Sequence, residues 1–167
     1  MKVITVGIAD CQVSKDAETA LVTHALGSCV AVVVHDSRAG VGGLLHLMLP
    51  ESSIDSHKAK DKPFMFADTG IPLLFRLAYA LGAEKRRLSV RLIGGAQVMD
   101  PNGVFNIGKR NHLACRKLLW MAGVMVHGEV VGGSVSRTVR LAVQSGQLLW
   151  NMAGGEMQEL AAGQGKA

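Results

Sequence analysis

The chain runs through short apolar stretches separated by polar breaks, and only two stretches carry helical spacing. Residues 2–8 are β-branched and alternate enough for a first strand, and the polar residues 9–20 read as a loop. Residues 29–35 and 41–49 are dense in Val and Leu, with Asp36-Ser37-Arg38-Ala39-Gly40 as a turn between them, which predicts a hairpin. Both faces of that hairpin are apolar, so both are expected to be covered. Residues 51–67 form a long polar loop. Asp68 is placed to cap a helix running to Leu81, with Pro72 in its first turn, Leu73, Leu74, Leu77, Ala78 and Leu81 at helical spacing, and Gly82 as its stop. A strand over 88–98, the turn-rich stretch Met99 to Gly108 and a second helix over 109–122 follow, with Gly123 after it. Strands are expected over 124–131, 137–143 and 147–152, the last two joined by Gln144-Ser145-Gly146.

Strands and helices do not alternate strictly, so the expected class is α+β with two main helices. The length of 167 residues fits one domain, 1–153, followed by a flexible Gly-, Gln- and Ala-rich tail, 154–167. Apolar residues make up 49% of the chain but aromatics only 4%, so the core must be built from Val, Leu, Ala and Met around the glycines. No apolar run is long enough for a transmembrane helix, and Met1-Lys2 leads straight into Val-Ile-Thr-Val with no leader, so a cytoplasmic protein without membrane insertion is expected.

Three cysteines without CxxC spacing argue against a disulfide framework or a structural zinc site. Six histidines without H-x-H or HExxH spacing argue against a metal site. The net charge is +5, with one basic cluster at Lys85, Arg86, Arg87 and Arg91 and another at Lys109, Arg110, Arg116 and Lys117. Such clusters favour acidic partners, though isolated surface charges are ordinarily just solvated. With few aromatics for stacking and no recognition motif, nucleic acid is not an expected partner.

The hairpin carries two reactive side chains, Cys29 and His46. If residues 36–39 form a four-residue loop, paired positions sum to 75, and Cys29 faces His46 directly. A three- or five-residue loop, or a bulge at Gly42-Gly43, changes that register. A histidine beside a cysteine can take its proton, and the ion pair lowers the thiol pKa to give a nucleophile for acyl carbons. Gly27-Ser28 supplies backbone freedom and N–H groups for a developing oxyanion. The same two residues also fit an inert buried thiol and a core histidine.

The surrounding residues resemble the CheD family of chemoreceptor glutamine deamidases. The likeness lies in Thr23 to Val32, Gly43 to Pro50, Ala67-Asp68-Thr69, Gly94-Gly95-Ala96, Asn106 to Asn111, and Gly132-Gly133 with Arg137, in family order. The resemblance implies β-sheet layers flanked by helices, as in deamidating bacterial toxins, and conversion of receptor glutamines to glutamates. Hydrolysis of receptor glutamate methyl esters is a further implied activity. It places the catalytic cysteine, histidine and threonine on Cys29, His46 and Thr23, with Ser28 and Gly27 in support and no metal or cofactor. The implied partners are methyl-accepting chemotaxis receptors and a CheC-type phosphatase, for which a non-enzymatic adaptor role is the alternative; a monomer is expected. Ala25 and Ser136 stand where the family commonly has glycine.

The remaining candidates read as structural. Cys115 is expected in the core of the second helix, and Cys11 in an exposed loop. His35 borders the turn, His57 lies in a solvated loop, His112 on a helix surface and His127 at a strand edge. Asn106 and Asn111 are placed for capping or turn support, with pocket shaping as the alternative. Gly94-Gly95 and Gly132-Gly133 permit close backbone packing, and Arg137 is placed to anchor a carboxylate or carbonyl.

Overall fold

The computed structural model describes residues 1–98 and 105–163. Among these are ten strands: β1 (Lys2–Thr5), β2 (Asp10–Ser14), β3 (Thr19–Leu26), β4 (Val30–Asp36), β5 (Val41–Leu47), β6 (Ser89–Gly94), β7 (Gly128–Val131), β8 (Arg137–Ala142), β9 (Leu148–Met152) and β10 (Gln158–Glu159). The helices are α1 (Ser56–Asp61), α2 (Ala67–Ala80) and α3 (Ile107–Met121). One sheet has the order β1-β3-β8-β9-β10 and the other β2-β5-β4-β6-β7. Each is mixed, because β1 runs parallel to β3 and β7 parallel to β6. The class is α+β, as expected.

Three layers follow from the alternation of side chains along β4 and β5. Val30, Val32 and Val34 of β4, with Leu45 and Leu47 of β5, pack against Leu74, Phe75 and Ala78 of α2 and Cys115 and Leu119 of α3. Ala31, Val33 and Leu44 face the other way, against Leu21, Val139, Leu141 and Leu148 of the first sheet. All seven residues of β4 and all seven of β5 are buried. Both main helices therefore cover one sheet on one face, while its other face lies against the first sheet. A β-branched strand covered on both sides carries no polar alternation, which is why this hairpin reads as a continuous apolar run.

Several elements differ from the sequence expectation. Residues 9–20 are not all loop, since β2 pairs with β5, and β3 occupies Thr19–Leu26, where no strand was expected. Only Cys11 of β2 is fully buried, so this strand at the sheet edge lacks the apolar density of a central one. The hairpin pairs Asp36 with Val41, so paired positions sum to 77 and the loop is 37–40. Asp36 is held inside the strand because its carboxylate accepts from the N–H groups of Arg38 and Ala39 and from Arg87. Asp68 does not cap α2; it is the second residue of that helix, and its carboxylate accepts from the N–H and hydroxyl of Ser52. The strand expected over 88–98 ends at Gly94, where Gly94 and Gly95 take φ of +125° and +66°. The strand expected from 124 starts at Gly128. Where a tail was expected, β10 pairs with β9 and Leu160 is buried, its carbonyl accepting from Arg91.

Candidate active site

His46 is fully buried on the face of β5 that looks toward the first sheet. Thr23 of β3, also fully buried, meets it there: Thr23 Oγ1 lies 2.7 Å from His46 Nδ1 and 2.7 Å from the carbonyl oxygen of Val6. A hydroxyl has one proton to give, and a carbonyl can only accept. The hydroxyl therefore donates to Val6, and Nδ1 must carry the hydrogen that it donates to Oγ1. That network assigns the Nδ1–H tautomer and leaves a bare lone pair on Nε2, which has no hydrogen-bond partner among the described residues. Asp10 sits directly across from His46 on β2, but its carboxylate accepts from the Cys11 N–H. The partner that orients this histidine is a hydroxyl.

Cys29 immediately precedes β4 and packs, half-buried, against the inter-sheet core. With the register at 77, Ala31 is directly opposite His46. Cys29 lies two residues away on the same face, as the diagonal neighbour, a separation of about 7–8 Å between α-carbons in regular strands. The expected direct opposition is thus corrected by one step along the face, while the shared face is retained because the register differs by an even number. The expected resting ion pair is also corrected. Burial pushes the Cys29 thiol up to about 11 and His46 down to about 4. Both groups are neutral at pH 7 in this geometry.

The turn before Cys29 is fixed by three consecutive carbonyls. Gly27 C=O accepts from the Ala96 N–H at 2.8 Å, Ser28 C=O from Asn111 Nδ2 at 2.9 Å, and Cys29 C=O from the Gly95 N–H at 2.8 Å. In a trans peptide the N–H points opposite to the preceding C=O. The N–H groups of Ser28 and Cys29 are therefore aimed away from those anchors. Gly94 is required by close approach: a Cβ there would stand 2.2 Å from the Cys29 carbonyl oxygen. At the other end of the turn Ala25 takes φ of +57°, and the β3–β8 register shifts between Thr23 and Leu26. This is a left-handed position, at a residue where the resembled family commonly has glycine.

Cys29 lines a pocket of about 500 Å³ with Ala25, Ser28, Gln97, Ile107 and Ser136 among its neighbours. His46 does not line it, so a ligand in the pocket meets the thiol before the imidazole. Both departures from the family pattern, Ala25 and Ser136, border this space. Arg137 is buried and donates to the carbonyls of Gly94 and Gly132, which ties β8 to the turn below Cys29. It thus anchors carbonyls, one of the two options its position suggested.

Asn111 caps nothing. It is fully buried in the first turns of α3, and its Nδ2 donates to Ser28 C=O and, at 2.8 Å, to Met48 C=O. One amide thus joins the cysteine turn to the segment that follows His46. Asn106 stands at the N-cap with φ of +52°, and its Oδ1 accepts from Gln97 Nε2. The Val6 carbonyl was invisible to a search for reactive side chains, because backbone has no residue-type signature. Cys11 is buried rather than exposed, and burial pushes both it and Cys115 up to about 12. His35 is buried and its Nε2 bonds the Val143 carbonyl; His112 Nε2 bonds buried Glu129; His127 Nδ1 accepts from the Val90 N–H. None of these is drawn to the pocket. Most of the turn-rich stretch, 99–104, lies outside the described residues.

Residues 48–152 match the family model described as CheD chemotactic sensory transduction. A probable chemoreceptor glutamine deamidase CheD from Solibacter usitatus is 51% identical over 160 residues, spanning 96% of this chain and 94% of its own length. A second, from Syntrophus aciditrophicus, is 47% identical over 94% of this chain and 98% of its own length. One from Pyrococcus horikoshii is 37% identical over 89% of this chain and 91% of its own.

Proposed function

This chain belongs to the CheD family, and on that premise we propose that it deamidates glutamine side chains on the cytoplasmic helices of chemotaxis receptors. The observation that carries the proposal is the Thr23–His46–Val6 network, which leaves His46 Nε2 bare on the strand face that Cys29 shares. A base needs that nitrogen unprotonated and unoccupied.

A receptor glutamine enters the pocket with its carboxamide at Cys29. As the sulfur attacks the carbonyl carbon, the thiol proton passes to Nε2. Transfer accompanies attack, since the resting thiol is protonated. The Ser28 and Cys29 N–H groups receive the oxyanion, with Gly27 shaping the turn that aims them. The imidazolium then returns the proton to the amide nitrogen, ammonia leaves, and a thioester remains. Water gives its proton to the same nitrogen, adds to the thioester and releases glutamate and the thiol. Thr23 acts through His46 as a positioning residue. A glutamate methyl ester offers the same acyl carbon with methanol as leaving group, so it is a second substrate in this scheme. A pure adaptor for a CheC-type phosphatase would leave the buried bare imidazole without a use.

The test is intact-mass and peptide mapping of a receptor cytoplasmic fragment after incubation with wild type or Cys29→Ala. Site-specific gain of one mass unit with wild type alone is the expected result. Equal mass gain in both samples, or none in either with both proteins folded, removes the deamidase reading.

A further inference from the structure

Outside the pocket, α3 carries an unusual exposed surface. Arg110, Leu113, Lys117 and Trp120 follow one another on α3 at spacings of three, four and three, so they form a single seam along the helix. Leu113 is 54% exposed and Trp120 80%, an unusual exposure for an indole. Met125, just beyond the helix, is 72% exposed beside them. A depression of about 710 Å³ here is lined by apolar side chains with Arg116 and Lys117 and, among the described residues, by no carboxylate. Arg116 also reaches buried Glu129 at 3.8 Å, which leaves Lys117 as the lining cation without such a pair among the described residues. The seam is continuous with the site, since Ile107 and Gly108 at the start of α3 line the Cys29 pocket. From there the helix carries it away for about 20 Å at 1.5 Å per residue.

We propose that this seam docks an acidic receptor helix, so that the substrate is read along several turns beyond the glutamine that enters the pocket. This rests on the receptor-deamidase reading. Alternating cations and apolar side chains in a narrow heptad-like line suit a helix with acidic residues flanking small apolar ones. A lipid surface calls for a broad apolar face, which this line is not. A second copy would bring two surfaces of the same cationic character together, with no carboxylate among the described residues lining either to offset the charge.

The experiment measures binding of a labelled receptor cytoplasmic fragment to the full chain in the Cys29→Ala background, with and without Lys117→Glu and Trp120→Ser. Both substituted side chains are exposed, and circular dichroism checks the fold. The dissociation constant is expected to rise at least about tenfold in the double variant. Wild-type binding is expected to weaken between about 50 and 300 mM salt, and the variant to lose most of that dependence. In the Cys29 protein, iodoacetamide alkylation of Cys29 reports the site alone and is expected to be the same with and without the two substitutions. Unchanged affinity, no measurable wild-type binding, or a parallel loss of alkylation overturns the proposal. So does an effect confined to self-association or to binding of phosphatidylglycerol vesicles. Docking through the seam without any Gln-to-Glu conversion removes the deamidase reading and leaves the surface; conversion with an unchanged KM in the double variant removes the surface and leaves the deamidase.

Discussion

The hydroxyl of Thr23 decides which nitrogen of His46 carries the proton. It gives its own hydrogen to the Val6 carbonyl and can then only accept from Nδ1, which leaves Nε2 without a hydrogen. Thr23→Val keeps the shape and removes the hydroxyl. Nδ1–H and the Val6 carbonyl then lose their partner, at about 1–3 kcal/mol for each buried group left unmet. Turnover is expected to fall by about 10²-fold, the lower range for loss of correctly presented acid–base catalysis. Thr23→Ser restores the hydroxyl and is expected to recover most of the rate. Comparing kcat for the three proteins checks this, and an unimpaired Thr23→Val would mean that the tautomer is set some other way.

The pH behaviour follows from two burial shifts of opposite sign. Cys29 lies up near 11 and His46 down near 4, so between those values thiol and imidazole are both neutral. Alkylation of Cys29 by iodoacetamide is therefore expected to be slow at pH 7 and to climb steadily toward pH 11. A preformed ion pair would instead give a plateau starting in the acid range. Stability responds on the acid side. As pH falls below about 6.5 the unfolded chain takes up a proton at His46 that the folded chain refuses until about 4, so folding free energy declines across that window. Urea unfolding midpoints of wild type and His46→Gln, measured from pH 7 to 4, are expected to converge as the pH falls.

Gly94 tests whether the cysteine turn tolerates displacement. A methyl group there meets backbone, the Cys29 carbonyl oxygen, and no side-chain rotation relieves it. Gly94→Ala is expected to lower the thermal midpoint and to change the Cys29 alkylation rate together. Gly154→Ala is the control: it also imposes a positive φ, +79°, but nothing lies within 4 Å of the added Cβ. It carries only the left-handed strain of about 1–2 kcal/mol and is expected to leave alkylation unchanged.

The hairpin, both main helices and the β8–β9 turn were legible because their signals are local. Val and Leu density marks the strands, leucine spacing the first helix, and glycine the stops. The shared face of Cys29 and His46 was legible too, because parity survives an even change of register. Its size was not legible: Asp36 stays in the strand through contacts with Arg87, fifty-one residues away, and no turn rule carries that. Three strands were missed: β2 and β10 lie at sheet edges, where pairing rather than apolar density makes the strand, while β3 is central but mixes Ala, Thr and His into its apolar run. The resting protonation of the pair was misread because a spacing argument contains no burial. The Val6 carbonyl and the role of Asn111 depend on tertiary placement alone.

Asn111 is where the two halves of the site are joined, and it offers a test that packing alone cannot mimic. Its two N–H donors hold carbonyls at residues 28 and 48, one just before Cys29 and one two residues after His46. Asn111→Leu is similar in size and supplies neither donor. Two buried carbonyls are left unmet, at about 1–3 kcal/mol each, and the turn carrying Cys29 loses its link to β5. Asn111→Asp is expected to be worse, since it sets carboxylate oxygens against both carbonyls. Cys115→Ala, one turn further along the same buried helix face, makes a small cavity and touches neither carbonyl. All three are expected to lower the thermal midpoint. Only the Asn111 variants are expected to reduce kcat, by about tenfold or more, as misplacement of a reacting group by a fraction of its bond length does. If Cys115→Ala lowers kcat as much as Asn111→Leu at equal loss of stability, then Asn111 serves the helix and not the alignment of Cys29 with His46.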